Sequence, residues 1–199
     1  MILTKRPDGR TDGSSEAIDH TRGNNYCGVD RWYHMAIRDA TTDDVDAIQE
    51  IAETSWTADY PDILSRESMQ EGLDDWYSDQ RIEDSIIWSR ALMLVAERDD
   101  GIVGFAHATW DVDETDGNIL RVYVDPDHRG AGIGSELLEE TRDRLFDVGV
   151  ERIKAMVLEE NDLGNAFYRE FGFEKTDTQE IQIGGESYTE CTYTLEREV

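Results

Sequence analysis

The chain has 199 residues, and its 46 Asp and Glu outnumber its 19 Lys and Arg to give a formal net charge of −27. No basic stripe exists to neutralise phosphates, which excludes nucleic acid as a partner. No apolar stretch approaches the length of a membrane-spanning helix and no apolar signal core follows Met1, so a soluble, cytoplasmic protein with no membrane partner is expected.

Residues 1–34 carry turn signals such as Pro7-Asp8-Gly9 and Gly23-Asn24-Asn25 without apolar periodicity, and read as a flexible N-terminal extension. An alternative start at Met35 would leave a single domain over residues 35–199. Met35 to Ala40 opens that domain as a strand. Thr41 or Thr42 then caps a helix with Asp43 and Asp44 in its first turn, and Val45, Ile48, Ile51 and Ala52 mark its inner face as far as Trp56. After Pro61 a second helical region runs from about Ser65 to Trp88, with Met69, Leu73, Trp76 and Tyr77 as candidate inward residues. Ala91–Glu97 and Ile102–Trp110 form a hairpin about Asp99-Asp100-Gly101. Asn118–Val124 alternates as a strand that ends at Pro126. Ile133–Val148 is an amphipathic helix, with Ile133, Leu137, Leu138, Leu145 and Val148 on its buried side. Arg152–Leu158 is a strand and Asn161–Glu170 a short helix. Thr178–Ile183 and Tyr188–Leu195 are strands joined at Gly184-Gly185. The chain shows no internal repeat.

The segment from Val124 to Gly134 carries the chemistry. A strand ends, a short loop follows, and a helix begins near Gly132. Glycines at 130, 132 and 134 remove side chains where backbone N–H groups can converge on an anion at the helix N-terminus, and a pyrophosphate fits such a site. Ile133 would pin the turn to the core. The spacing does not match the dinucleotide fingerprint, and no Gly-Lys-Ser/Thr ending marks a P-loop. A ligand-free strand-to-helix turn is the competing interpretation.

Arg129-x-x-Gly132-x-Gly134 after a Leu-x-Val-x-Val strand resembles motif A of the GNAT N-acetyltransferase superfamily. Asn161 to Phe173, with Asn165, Ala166, Tyr168 and Gly172-Phe173, resembles that family's motif B in loose form. The order of elements over residues 35–195 agrees as well. The resemblance implies an α/β (α+β) fold. Its central sheet would be mixed but mostly antiparallel, with about seven strands, flanked by about four helices and splayed between the fourth and fifth strands. It also implies acetyl-CoA as co-substrate. The amides of Arg129, Gly130, Ala131, Gly132, Ile133 and Gly134 would cradle the pyrophosphate. Val122, Tyr123 and Val124 would run beside the pantetheine arm, with an N–H near Val122 polarising the thioester carbonyl. Asn161 and Ala166 would touch the cofactor, and Tyr168 would protonate the departing thiolate. A core aromatic is the alternative for Tyr168.

The acceptor implied is a primary amine: a protein N-terminus, a lysine or a small amine. The strand before the glycine turn lacks an acid, so His107, Asp111 and Glu97 stand as base candidates. Trp56 and Tyr60 are candidates to wall the acceptor cleft. A catalytically silent acyl-CoA-binding module of the same fold is the rival function, and a monomer or homodimer is expected. Cys27 and Cys191 could form one disulfide, though a cytosolic chain keeps its thiols reduced. The four histidines show no metal spacing, so no metal is expected.

The acidic, lysine-poor composition, with only Lys5, Lys154 and Lys175, resembles that of proteins from salt-accumulating halophilic archaea. Repulsion among surface carboxylates acts over the Debye length, about 10 Å at 0.1 M salt and about 3 Å at 1 M. The melting temperature should therefore rise between tenths molar and molar KCl. A flat or falling curve in a thermal-melt series would contradict the halophilic interpretation.

Overall fold

The computed structural model describes residues 35–111 and 115–197. The expected extension over residues 1–34, and Cys27 with it, lies outside the described residues. In chain order the elements are β1 (Ala36–Asp39), a 3-10 turn (Thr42–Asp44), α1 (Val45–Asp59), α2 (Arg66–Trp76), α3 (Asp79–Ile87), β2 (Ala91–Arg98) and β3 (Gly101–Trp110). There follow β4 (Asp116–Val124), a 3-10 turn (Pro126–His128), α4 (Ile133–Asp147), β5 (Arg152–Leu158), α5 (Asp162–Phe171), β6 (Glu174–Ile183) and β7 (Glu186–Glu196).

The strands make one seven-stranded sheet in the order β1-β2-β3-β4-β5-β7-β6. Every pairing is antiparallel except β4 with β5. Helices α1 to α3 cover one face, burying Ile48, Trp56, Tyr77 and Ile82 against Met93, Val95 and Phe105. Helix α4 covers the other face, with Ile133 and Leu137 against Leu94, Ala106 and Val124, and Leu138 and Leu145 against Ile119 and Ile153. Helix α5 adds Tyr168 to that side, beside Val157 and Tyr193. The expected mixed sheet is thus present. Among the described residues no helix is long and apolar enough to cross a membrane.

Four expectations need correction. The helical region at 65–88, read as one, is two helices, α2 and α3. Tyr77 caps the end of α2 and Ser78 starts α3 in extended conformation, with Asp79 at the positive end of the new helix. The break turns Tyr77 inward, whereas Trp76, read as inward, remains 38 % exposed. Val148, read as the last buried residue of its helix, is 53 % exposed, because α4 has ended and the chain is turning toward Gly149. Strand β6 begins at Glu174 rather than Thr178; its outward faces are polar, which hid the alternation.

Two irregularities matter for function. Strands β4 and β5 pair only from Asp116↔Arg152 to Ile119↔Ala155. Beyond that point β4 stays with β3 as far as Val124, and β5 stays with β7 as far as Leu158, so the two diverge. At the point of divergence the β3–β4 register slips: His107 faces Arg121 and Ala108 faces Ile119, leaving Leu120 as an extra residue. Such a bulge bends the strand and re-aims its neighbours.

The β6–β7 turn offers a test of the packing. Gly184 and Gly185 both have positive φ, at 58° and 75°. A Cβ on Gly184 would lie 2.5 Å from the Ser68 Cα in α2, whereas one on Gly185 meets nothing within 4 Å. In urea denaturation Gly185→Ala should cost about 1 kcal/mol, the left-handed penalty alone. Gly184→Ala should cost at least twice that, since it also pushes α2 away from the turn and strains the Ser68 Oγ bond to the Ile183 carbonyl.

Candidate active site

The divergence of β4 from β5 opens a cavity of about 160 Å³. Val122, Tyr123 and Val124 of β4 line one side, and Met156, Val157 and Leu158 of β5 the other. Helix α1 contributes Trp56 and Asp59, followed by Tyr60. Helix α4 contributes Gly134, and the α5 region Asn161, Gly164, Phe167 and Tyr168. Eight of the residues singled out from the sequence therefore meet in one place: Trp56, Tyr60, Val122, Tyr123, Val124, Gly134, Asn161 and Tyr168.

The glycine turn leads into α4, whose Gly134 lines this cavity. Gly130 and Gly132 have φ of 80° and 85°, a left-handed conformation that a β-carbon disfavours. Gly132 is the N-cap residue of α4, so the first amides of that helix are directed out of the turn. Ile133 is 2 % exposed and anchors the turn in the core, as expected. The Arg129 side chain faces inward: its Nε donates to the Val124 carbonyl at 3.0 Å, and its Nη atoms grip Asp59 at 2.6 and 2.9 Å. This nearly buried pair fastens the end of α1 to the turn. Arg129, Gly130, Ala131, Gly132, Ile133 and Ala166 do not line the cavity.

Tyr168 is 7 % exposed, stacked on Tyr193 and edge-on to Phe167 and Phe173. Burial raises its phenol above the usual range, so the hydroxyl holds its proton at neutral pH. Asn161 has two bonds. Its Oδ1 caps α5 by accepting from the Gly164 N–H at 2.9 Å, and its Nδ2 donates to the Tyr60 hydroxyl at 3.2 Å. Neighbouring Asn165, named in the motif but given no role there, is buried and locks the strand-to-helix turn through the Leu158, Glu159 and Asn161 carbonyls. Gly164 is needed for close approach, because a Cβ there would sit 2.7 Å from Val157.

Aromatic residues form the roof. Trp56 packs on Tyr60, Trp76 and Tyr77 and donates from Nε1 to the Tyr123 hydroxyl at 3.1 Å. Burial pushes the Tyr60 phenol up to about 12 and raises those of Tyr77 and Tyr123 as well. All three are neutral donors at physiological pH.

The three base candidates do not reach the cavity. Glu97 pairs with Arg38, and Asp111 reaches Arg90 on the surface. His107 lies under a neighbouring depression with Thr109 and Trp88. Burial, reinforced by the Arg121 charge, lowers its pKa to about 3. A base that weak is neutral throughout the working range and takes no proton from an amine. The carboxylates that do line the cavity are Asp59, held by Arg129, and Glu190 of β7, whose Oε2 accepts from Gln179 at 2.9 Å. Arg121, Met156, Phe167 and Glu190 are site residues that sequence reasoning missed. The one signal for Arg121 was its place between Leu120 and Val122. Among the described residues no group of His, Cys, Asp and Glu could hold a metal.

The sequence model of the acetyltransferase (GNAT) family matches residues 45–173. A spermidine N(1)-acetyltransferase of Thermoplasma acidophilum is 27 % identical over 148 residues, covering 72 % of this chain and 91 % of that protein. An uncharacterized N-acetyltransferase of Mycobacterium tuberculosis is 24 % identical over 156 residues, covering 78 % and 98 %. Among solved structures, the PaiA N-acetyltransferase of Thermoplasma acidophilum in complex with coenzyme A superposes with a TM-score of 0.73 at 24 % identity, over 82 % of this chain and 99 % of that one. The ribosomal-protein-S18-alanine N-acetyltransferase of Escherichia coli gives a TM-score of 0.64 at 19 % identity, over 82 % and 94 %. At these identities the structural likeness speaks for the fold.

The depressed His107 pKa carries a stability prediction. The unfolded chain takes up this proton near pH 6.5, whereas the folded chain resists it down to about pH 3. Stability that is fully present above pH 6.5 is therefore lost as pH falls through that window. Relative to His107→Asn, the native protein should lose a few kcal/mol between pH 7 and pH 3 in denaturant titrations, at about 1.4 kcal/mol per unit. A difference that is independent of pH would contradict the burial argument.

Proposed function

The chain belongs to the acetyltransferase (GNAT) family, and from that premise we propose that it moves an acetyl group from acetyl-CoA to a primary amine by direct attack, with Tyr168 as the general acid. The observation that carries this reading is the convergence, on one cavity, of Gly134 in the first turn of α4, two diverging strand edges and a neutral buried phenol. Each part has a task. The first amides of α4, with those of Arg129 to Gly134, receive the pyrophosphate, where the helix dipole favours negative charge. The divergent edge of β4 at Val122 to Val124 takes the pantetheine arm as an added strand, and Asn161 flanks it.

In the transfer, the amine nitrogen forms a bond to the thioester carbonyl carbon and the carbon–sulfur bond breaks. A backbone N–H beside the Leu120 bulge, near Val122, donates to the carbonyl oxygen as charge gathers there. Tyr168 gives its proton to the departing sulfur. A phenol raised by burial is fully protonated before the step, and the thiolate it meets is desolvated in the same apolar pocket. The proton lost by the amine leaves toward Glu190 or water. The acceptor classes consistent with this reading are a protein N-terminus, a lysine or a small amine, and the Thermoplasma relative named for spermidine supports the last. The charge of −27 supports a salt-rich cytoplasm as the working environment.

Tyr168→Phe should reduce kcat by about tenfold to a hundredfold while the KM for acetyl-CoA changes little, because the lost interaction exists mainly in the transition state. Steady-state assays of free thiol release would show it. A variant with full turnover would return Tyr168 to a packing role beside Phe173 and Tyr193. Native protein that binds coenzyme A by calorimetry yet acetylates no amine would establish the silent-module alternative.

A further inference from the structure

The cavity carries two charges of opposite sign, Arg121 and Glu190, that have no oppositely charged partner among the described residues. Arg121 lines it from β4 and is half-buried, yet it has no carboxylate partner among the described residues, in a chain with 46 acidic residues. Its guanidinium is held in place by neutral groups. It lies 4.7 Å over the Tyr77 ring, its Nε donates to the Tyr77 hydroxyl at 3.0 Å, and its Nη1 meets His107 Nδ1 at 2.7 Å. The His107 pKa of about 3 keeps that imidazole uncharged, so it orients Arg121 without competing for anions. The Nη2 donors are committed to none of these bonds. Glu190 lines the same cavity from β7 and has no cationic partner among the described residues, only the Gln179 amide. Strand β5 lies between β4 and β7 in the sheet and has parted from β4 before Arg121, so the two side chains come to the cavity from strands on either side of β5.

We propose that the acceptor is a zwitterionic amino acid whose carboxylate is bound by Arg121 and whose amino group lies toward Glu190. This narrows the acetyltransferase reading above and rests on it. A half-buried guanidinium with uncommitted donors binds a planar carboxylate in bidentate fashion, and both groups gain from the low local dielectric. Arg121 stands one residue from Val122, where the thioester carbonyl is held in that reading, so the anion it binds must lie close to the reacting nitrogen. An α-amino acid meets that requirement. A polyamine offers Arg121 only repulsion, and a peptide N-terminus presents an amide where the charge is needed. The aromatic walls at Trp56, Tyr60 and Trp76 suit an apolar side chain on the acceptor.

The test measures kcat/KM at saturating acetyl-CoA for a panel of L-amino acids, for their amides and decarboxylated amines, and for spermidine. The free acids should exceed their own amides and amines by at least tenfold, and exceed spermidine. Arg121→Gln should lower kcat/KM for the best acid by about tenfold to a hundredfold, through KM, and leave its amide within about twofold. Arg121→Lys should recover part of the loss. Folding of both variants is checked by circular dichroism, and if neither folds, the acid-to-amide ratio of the native protein decides alone. Amides or spermidine used as well as acids, or an Arg121→Gln loss equal for acid and amide, would overturn the proposal while the acetyltransferase reading stands. Coenzyme A binding with no amine acetylated would overturn both.

Discussion

The parallel ladder between β4 and β5 ends after Ile119 and Ala155, and the rest of the site follows from that ending. A sheet interior does not leave backbone edges unpaired without compensation, because buried N–H and C=O groups need partners. Here both strands are held on their outer sides: β4 by β3 through a register shifted at Leu120, and β5 by β7 through Leu158. Neither can swing across to close the gap. An extended ligand with its own amide groups is the natural partner for such edges, and the pantetheine arm of coenzyme A is one.

The two faces of the sheet divide the work. On the α4 and α5 side the gap meets Gly134 in the first turn of α4 and the Tyr168 phenol, which suits an anionic carrier ending in a leaving group. On the other side it meets Trp56, Tyr60, Tyr77 and Tyr123 with Arg121, which suits an acceptor. Two contacts tie the halves together. Arg129 joins the glycine turn to Asp59 at the end of α1, and Asn161 joins the start of α5 to Tyr60 just beyond it. Ion pairs this little exposed are strongly destabilising to break, since the surviving charge is left in a dry site. Turn and roof are thereby held in one relative position.

Charge follows the same division. Among the described residues only Asp44 and Asp116 are buried acids, whereas the cavity is lined mainly by phenols and apolar side chains with few charges. His107 shows how this is maintained. A protonated imidazole beside Arg121 would double the positive charge at a buried point, and desolvation together with that neighbour keeps it neutral.

The sequence by itself determined the order of the strands, the glycine turn and Tyr168 as a candidate acid, because each depends on local rules. Periodicity reports which face of an element is buried, and glycine at a strand-to-helix junction reports a conformation closed to other residues. It also placed Tyr168 and Asn161 at the spacing of a short helix, where both do line the cavity. Local rules failed where the outcome depends on a neighbour distant in sequence. The helix break at Tyr77 rewards burial of its ring beneath Trp56 and beside Arg121, and Trp76 is displaced outward as a result. The base candidates were chosen from strands whose register was unknown, and the Leu120 bulge decides which side chains of β4 face which of β3. Arg121 and Glu190 look like ordinary surface charges in a chain so acidic. Only the tertiary structure sets them on opposite sides of one cavity, because whether a charge is compensated depends on what the fold brings beside it.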